Sequence, residues 1–210
     1  MVDYLTTEEQ QAEAIKKWLR ENGMALLLGA VLGLAAVFGW RTWTAYQRAQ
    51  AEGASGLYAQ MMVSLEQGES AQARQAAQRI LDEYTSTGYA FFSALALAGL
   101  AVEDGDLETA RGRLEWALEN APDQALAYIT RVRLARVLLA QGQPGQARAI
   151  LDTPAPTGME GLQGEVRGDV AAAMGDNKLA RESYAAALAG SAAPADRERI
   201  QMKLDELPEV

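Results

Sequence analysis

Hydrophobic and polar positions divide the chain into two regimes. From Asn22 to Trp40 the sequence reads NGMALLLGAVLGLAAVFGW, nineteen residues without a charge. As a helix rising about 1.5 Å per residue, this run spans roughly 28 Å, close to the hydrocarbon core of a bilayer. Lys16, Lys17 and Arg20 precede it and Arg41 ends it. Before the run, Thr6 and Glu9 fit a capping box that starts a helix over about 7–21. Ile15, Trp18 and Leu19 share one face of it, which predicts an amphipathic lead-in at the membrane surface. After the run, apolar residues recur at helical spacing and charges are frequent. The expected layout is a lead-in over 1–21, a transmembrane helix over 22–46, a linker over 47–56 with Gly53 and Gly56, and a domain over 57–210.

Other readings of the apolar run fit less well. A cleaved signal peptide would use Ala49-Gln50-Ala51, but that site lies beyond Arg41, Trp43 and Arg48, and the run exceeds a usual signal core. A buried soluble helix would not explain an uncharged run bracketed by charges and tryptophan. A retained single span is therefore predicted, with membrane lipid as its surroundings. Trp40, Trp43 and Tyr46 suit an aromatic belt at one interface. Gly29 and Gly33 form a small-residue step on which a second helix can pack closely, although glycine and alanine are also common in membrane helices. Three Lys or Arg before the run against two after it tip the N-terminus only slightly toward the cytoplasm.

The remainder of the chain repeats. Gly68, Gly105, Gly142 and Gly175 stand 37, 37 and 33 residues apart. Each is followed at the fifth and sixth positions by Ala-Arg: Ala73-Arg74, Ala110-Arg111, Ala147-Arg148 and Ala180-Arg181. This period matches helix–turn–helix repeats of tetratricopeptide type. The glycine suits a tight turn with positive φ, and the alanine suits the point where the second helix crosses the first. Four hairpins follow, over about 53–84, 88–121, 124–152 and 158–189. In the third, Pro144 starts the second helix and Thr153-Pro154-Ala155-Pro156 must end it early. In the fourth, Gly158, Gly161, Gly164 and Gly168 predict the least stable helix. Ile200, Leu204 and Leu207 fall on one face of a terminal helix that covers the last repeat. The expected fold is all-α: a single transmembrane helix, a tetratricopeptide-like solenoid of about four helix pairs, and a terminal helix.

Charge and composition narrow the function. The net charge is -9, and residues 1–48 contribute none of it, with five basic and five acidic residues. An acidic domain repels phosphate backbones, so nucleic acid is not an expected partner, and Arg131, Arg133 and Arg136 lie on one helix of an acidic domain. Neither Cys nor His occurs, which removes thiolate nucleophiles, Cys ligands and the commonest general base. Glu103-Asp104-Gly105-Asp106 lacks the spacing of a calcium loop and fits helix caps. No catalytic constellation is legible, and no catalytic, cofactor or metal residue is expected.

What remains is a protein-binding groove. Counting back from each marker alanine, the first helix of each pair places Tyr58 and Met62, Phe92 and Leu95, and Ile129, Val132, Arg136 and Leu139 on the groove face. This stripe is mostly apolar and suits an extended segment or a partner protein. Packing within the array or under the terminal helix is the alternative for any one of them.

The segments Glu13-Ala14-Ile15-Lys16-Lys17-Trp18 and Glu21-Asn22-Gly23, the Gly-rich span, and Gly39-Trp40-Arg41-Thr42-Trp43 resemble the N-terminus of the YfgM family, ancillary proteins of the bacterial Sec translocon. The resemblance covers about 10–46 closely, and the repeats are consistent with the rest. It implies a bacterial inner-membrane protein with a cytoplasmic N-terminus and a periplasmic tetratricopeptide-like domain. It further implies Sec translocon subunits, the periplasmic chaperone PpiD and exported polypeptides as partners. The function expected on that basis is a scaffold at the periplasmic exit that links exported chains to chaperones. A tethered regulator or assembly scaffold of another envelope complex is the alternative.

Overall fold

A computed structural model describes residues 4–156, 159–190 and 194–208, and every regular element among them is an α-helix. In chain order these are α1 Tyr4–Glu66, α2 Ser70–Glu83, α3 Gly88–Glu103, α4 Leu107–Glu119, α5 Gln124–Ala140, α6 Pro144–Leu151, α7 Glu160–Ala173, α8 Asn177–Gly190 and α9 Pro194–Asp205. The chain divides into two compact units, Met1–Gln50 and Ala51–Val210.

The first unit is helical from Tyr4 onward. Thr6 is therefore not an N-cap but lies inside the first turns of α1. The apolar residues of the run are exposed, as at Met24, Leu32 and Trp40, and none of the most apolar window is buried, which removes the buried-helix reading. α1 is long and apolar enough to cross a membrane. Its polar side chains bond back along the helix: Asn22 Nδ2 donates to the Trp18 carbonyl at 3.0 Å and Thr42 Oγ1 to the Phe38 carbonyl at 2.9 Å. Such bonds satisfy polar groups where water is excluded.

Residues 47–56, expected as a linker, are helical throughout. No proline interrupts 4–66, and none of the glycines there takes positive φ. Ala54 is fully buried, and Gly53 lies against the Tyr84 ring, where a Cβ would come within 2.6 Å of Tyr84 Oη. Packing at these two small residues draws residues 51–66 into the second unit, and that offsets the helix cost of the glycines.

In the second unit, residues 51–66 of α1 pair with α2, α3 with α4, α5 with α6 and α7 with α8. The turns inside the pairs share one geometry. Gly68, Gly105, Gly142 and Gly175 have φ of 73°, 78°, 73° and 79°. After each, the next amide donates five residues back, as from Asp106 to Ala101 and from Gln143 to Leu138, both at 2.9 Å. This closes the first helix of each pair, and only glycine takes that φ without a steric cost of about 1–2 kcal/mol. Ala73, Ala110, Ala147 and Ala180 are all fully buried at the crossings. Asp106, Asp123 and Asp176 then cap α4, α5 and α8 by accepting the amides of Thr109, Leu126 and Leu179. Asp104 pairs with Arg74, so the acidic run around Gly105 serves a cap and an ion pair.

The third pair departs from the others as its prolines predict. α6 has only 8 residues. Its last carbonyl, on Leu151, accepts from Gln163 Nε2 and from Arg167 Nη2 of α7. Tyr128 of α5 donates to Gln163 Oε1 at 3.0 Å, and α5 and α7 touch directly. The short helix thus leaves its end to be closed by the following pair. In α9, Ile200 is buried, and Leu204 together with Leu207, just past the end of the helix, packs with it against Ala171, Ala180, Tyr184 and Ala187.

Candidate protein-binding site

The first helices of the pairs share one face of the second unit, and it has two chemically distinct halves. In the N-terminal half, the rings of Tyr58 and Tyr89 lie 5.3 Å apart, and Phe92 stands edge-on to Tyr58 at 6.4 Å. Phe92 is 41% exposed, so the cluster presents aromatic surface to solvent, and Met62, one turn after Tyr58, is 38% exposed. Its base is fixed by core: Phe91 is buried and packs edge-on against Phe92 at 5.1 Å.

Beside this cluster a cleft of about 410 Å³ opens between α3 and α5. Leu95, Ala98, Gly99 and Val102 line it from α3, and Arg133, Arg136, Val137 and Ala140 from α5. Around Gly99 there is no atom within 4 Å of the place a Cβ would occupy, so a docked group can approach the backbone there. α5 holds three arginines and no acid.

The C-terminal half of the face is charged and already occupied. Glu165 of α7 is only 6% exposed. Arg199 of α9 donates to both of its oxygens at 2.8 Å, Nε to Oε1 and Nη2 to Oε2. Lys203 Nζ donates to Glu165 Oε1 and to both oxygens of Asp169, each at 2.8 Å. Arg136 of α5 approaches Glu165 at 3.5 Å. Hydrogen bonds from Arg199 foremost, and then from Lys203, hold the Glu165 carboxyl down to about 2 despite the opposing effect of burial. Tyr184 donates to Asp169 Oδ1 at 2.7 Å, and burial together with that carboxylate pushes its phenol upward.

The residues expected from sequence sort accordingly. Tyr58 and Phe92 come together in the aromatic cluster, and Met62, one turn after Tyr58 on α1, is exposed. Leu95 and Arg136 line the cleft, although Leu95 also packs on the core. Ile129 is half-buried and Leu139 packs against the core. Val132 is 1% exposed and belongs to the core, which removes it from the groove. α5 is flanked by two pairs and buries residues on more than one face, so counting back from the marker alanine does not separate inside from groove. The count also missed Tyr89, Gly99, Val102 and Arg133. Tyr89, Gly99 and Val102 were accessible to the same helical spacing, one turn before Phe92 and one and two turns after Leu95. In the first unit, Gly29 and Gly33 have open space around them, and Trp40 and Trp43 are exposed. Among the described residues no group of three or more potential metal ligands comes together.

A family model described as a tetratricopeptide repeat-like domain matches residues 16–209. A protein of Escherichia coli (strain K12) named ancillary SecYEG translocon subunit is 32% identical over 200 residues, covering 95% of this chain and 96% of its own length. Proteins of the same name from Haemophilus influenzae and Neisseria gonorrhoeae are 30% identical over 204 residues and 31% identical over 208. They cover 97% and 95% of this chain, and 99% and 97% of their own lengths. No solved structure matches the chain.

Proposed function

This chain belongs to the family of ancillary SecYEG translocon subunits, the YfgM family, with a tetratricopeptide repeat-like domain, and on that footing we propose that it is a membrane-anchored, non-catalytic scaffold that holds a protein-binding face beside the translocon. The observation that carries the reading is the exposed aromatic and apolar half of the first-helix face, from Phe92 to Val102, in a chain tethered by α1. Its occupants would be exported polypeptides or a periplasmic chaperone such as PpiD. Tethering supplies function without catalysis, because confinement near the channel raises the effective concentration of the binding face there.

Two measurements test the reading. A photo-crosslinking residue at position 92 is expected to capture translocating chains or a chaperone, and Phe92→Glu is expected to weaken that binding at least about fivefold, since exposed aromatics anchor such interfaces. Undiminished binding with an unchanged circular dichroism spectrum would refute it. The face would be periplasmic, with Lys16, Lys17 and Arg20 on the cytoplasmic side, as the small excess of basic residues before the span supports. In spheroplasts, added protease is then expected to digest residues 51–210. Protection of that region until the membrane is lysed would reverse the orientation and remove the exit-side role.

A further inference from the structure

We propose that the cleft between α3 and α5 selects an acidic amphipathic segment of a partner polypeptide, with apolar side chains entering over Gly99 and a carboxylate meeting Arg133. The inference rests on the protein-binding reading above and names the chemistry of the occupant. Four observations carry it. The cleft is walled mainly by apolar groups, among them Leu95, Ala98, Val102 and Val137. At its open side Gly99 is exposed and bare of a side chain, with nothing near the position of a Cβ, so a branched side chain can pass over it toward the buried Ala98 and Leu114. Arg133 lies on its wall, exposed, and makes no hydrogen bond or ion pair among the described residues, whereas Arg136 is shared with Glu165. Finally, α5 brings only positive charge to this wall, in a chain whose net charge is -9.

Glu103 is the acid among the lining residues, so the cleft carries two guanidiniums against one carboxylate. A basic segment would meet both arginines, and an uncharged one would leave Arg133 unused beside an apolar wall. A second copy of this chain brings the same net negative charge and is disfavoured as a whole. An acidic segment meets that repulsion too, but only at a distance. At physiological salt, charges beyond about 8 Å are largely screened, and the guanidinium in contact decides.

The test uses the full chain in detergent and labelled synthetic amphipathic peptides that share one apolar face. Their flanking positions carry Glu, Gln or Lys. By fluorescence anisotropy the Glu peptide is expected to bind about tenfold more tightly than the Lys peptide, with Gln between them. Arg133→Glu is expected to reverse that order. Gly99→Leu blocks the open side of the cleft and is expected to abolish binding of all three, with thermal melting unchanged or raised because nothing stands in its way. Equal affinity across the three peptides overturns the acidic preference while leaving the binding face intact if Phe92→Glu still weakens partner capture. Binding that survives Gly99→Leu places the site elsewhere and overturns the proposal. Absence of peptide binding overturns it, and together with failed capture from position 92 it removes the broader reading too. Self-association lost on Arg133→Glu, or binding to anionic lipid vesicles in place of the peptides, would assign the cleft to another occupant and likewise overturn it.

Discussion

Gly168→Leu is expected to destabilise the fourth helix pair by about 3 kcal/mol or more, the upper end of overpacking costs. α7 and α8 approach closely because α7 carries glycine at two successive turns. A Cβ on Gly164 would lie 2.9 Å from Ala187 Cβ and 3.1 Å from its backbone nitrogen. A Cβ on Gly168 would run into the ring of Tyr184. That ring is 3% exposed and its hydroxyl is bonded to Asp169, so it has no room to swing aside. In urea titrations of the full chain, the variant is expected to show an early transition for 159–208, because repeat arrays lose stability locally. Gly99→Leu is the control: the same change in an open position of α3 should leave the midpoint unchanged or raise it. A Gly168→Leu midpoint equal to that of the wild type would overturn the close-packing account. The Gly-rich helix, expected from propensity to be the least stable, thus has Gly164 and Gly168 where side chains would separate it from α8, while Gly158 lies outside the described residues.

The second large effect is expected at low pH. Glu165 is held at about 2, against an ordinary value of 4.5, chiefly by the Arg199 hydrogen bonds. Its folded value lies below its unfolded one, so the stability it contributes is present above about pH 4.5 and is lost as pH falls toward 2. At about 1.4 kcal/mol per pH unit this is on the order of 3 kcal/mol, spread across the whole network with Lys203, Asp169 and Arg136. Glu165→Gln should remove about 2 kcal/mol at pH 7, less than the loss for a fully buried pair, because Arg199 keeps Asp196 and Lys203 keeps Asp169 when the carboxylate is gone. It should also flatten the acid limb between pH 4.5 and 3. Chemical denaturation of both proteins across that range checks the sign. Parallel losses in wild type and variant would show that other groups govern acid stability.

The repeat architecture was legible because it depends on local backbone rules. A positive-φ glycine and a fully buried alanine five residues later mark every turn, and both constraints act within one helix pair. The end of α6 was equally readable, since Pro154 and Pro156 cannot continue a helix. The terminal helix could be placed by the spacing of Ile200, Leu204 and Leu207. Binding-face residues were only partly legible. Phe92 and Met62 reach the surface, whereas Val132, at the position in its helix that Leu95 takes in α3, is covered.

By itself, then, the sequence determined that this protein has an uncharged span the length of a bilayer core, four helix pairs and a capping helix. These follow from uncharged length, from glycine and proline geometry, and from helical periodicity, all properties of short stretches of chain. Only the tertiary structure decided that residues 47–56 are helix, that Gly164 and Gly168 admit α8, that Glu165 is closed by Arg199 and Lys203, and that Arg133 stands unpaired beside an apolar cleft. Each of these is a meeting between helices distant in sequence, where burial and charge pairing depend on which neighbour arrives.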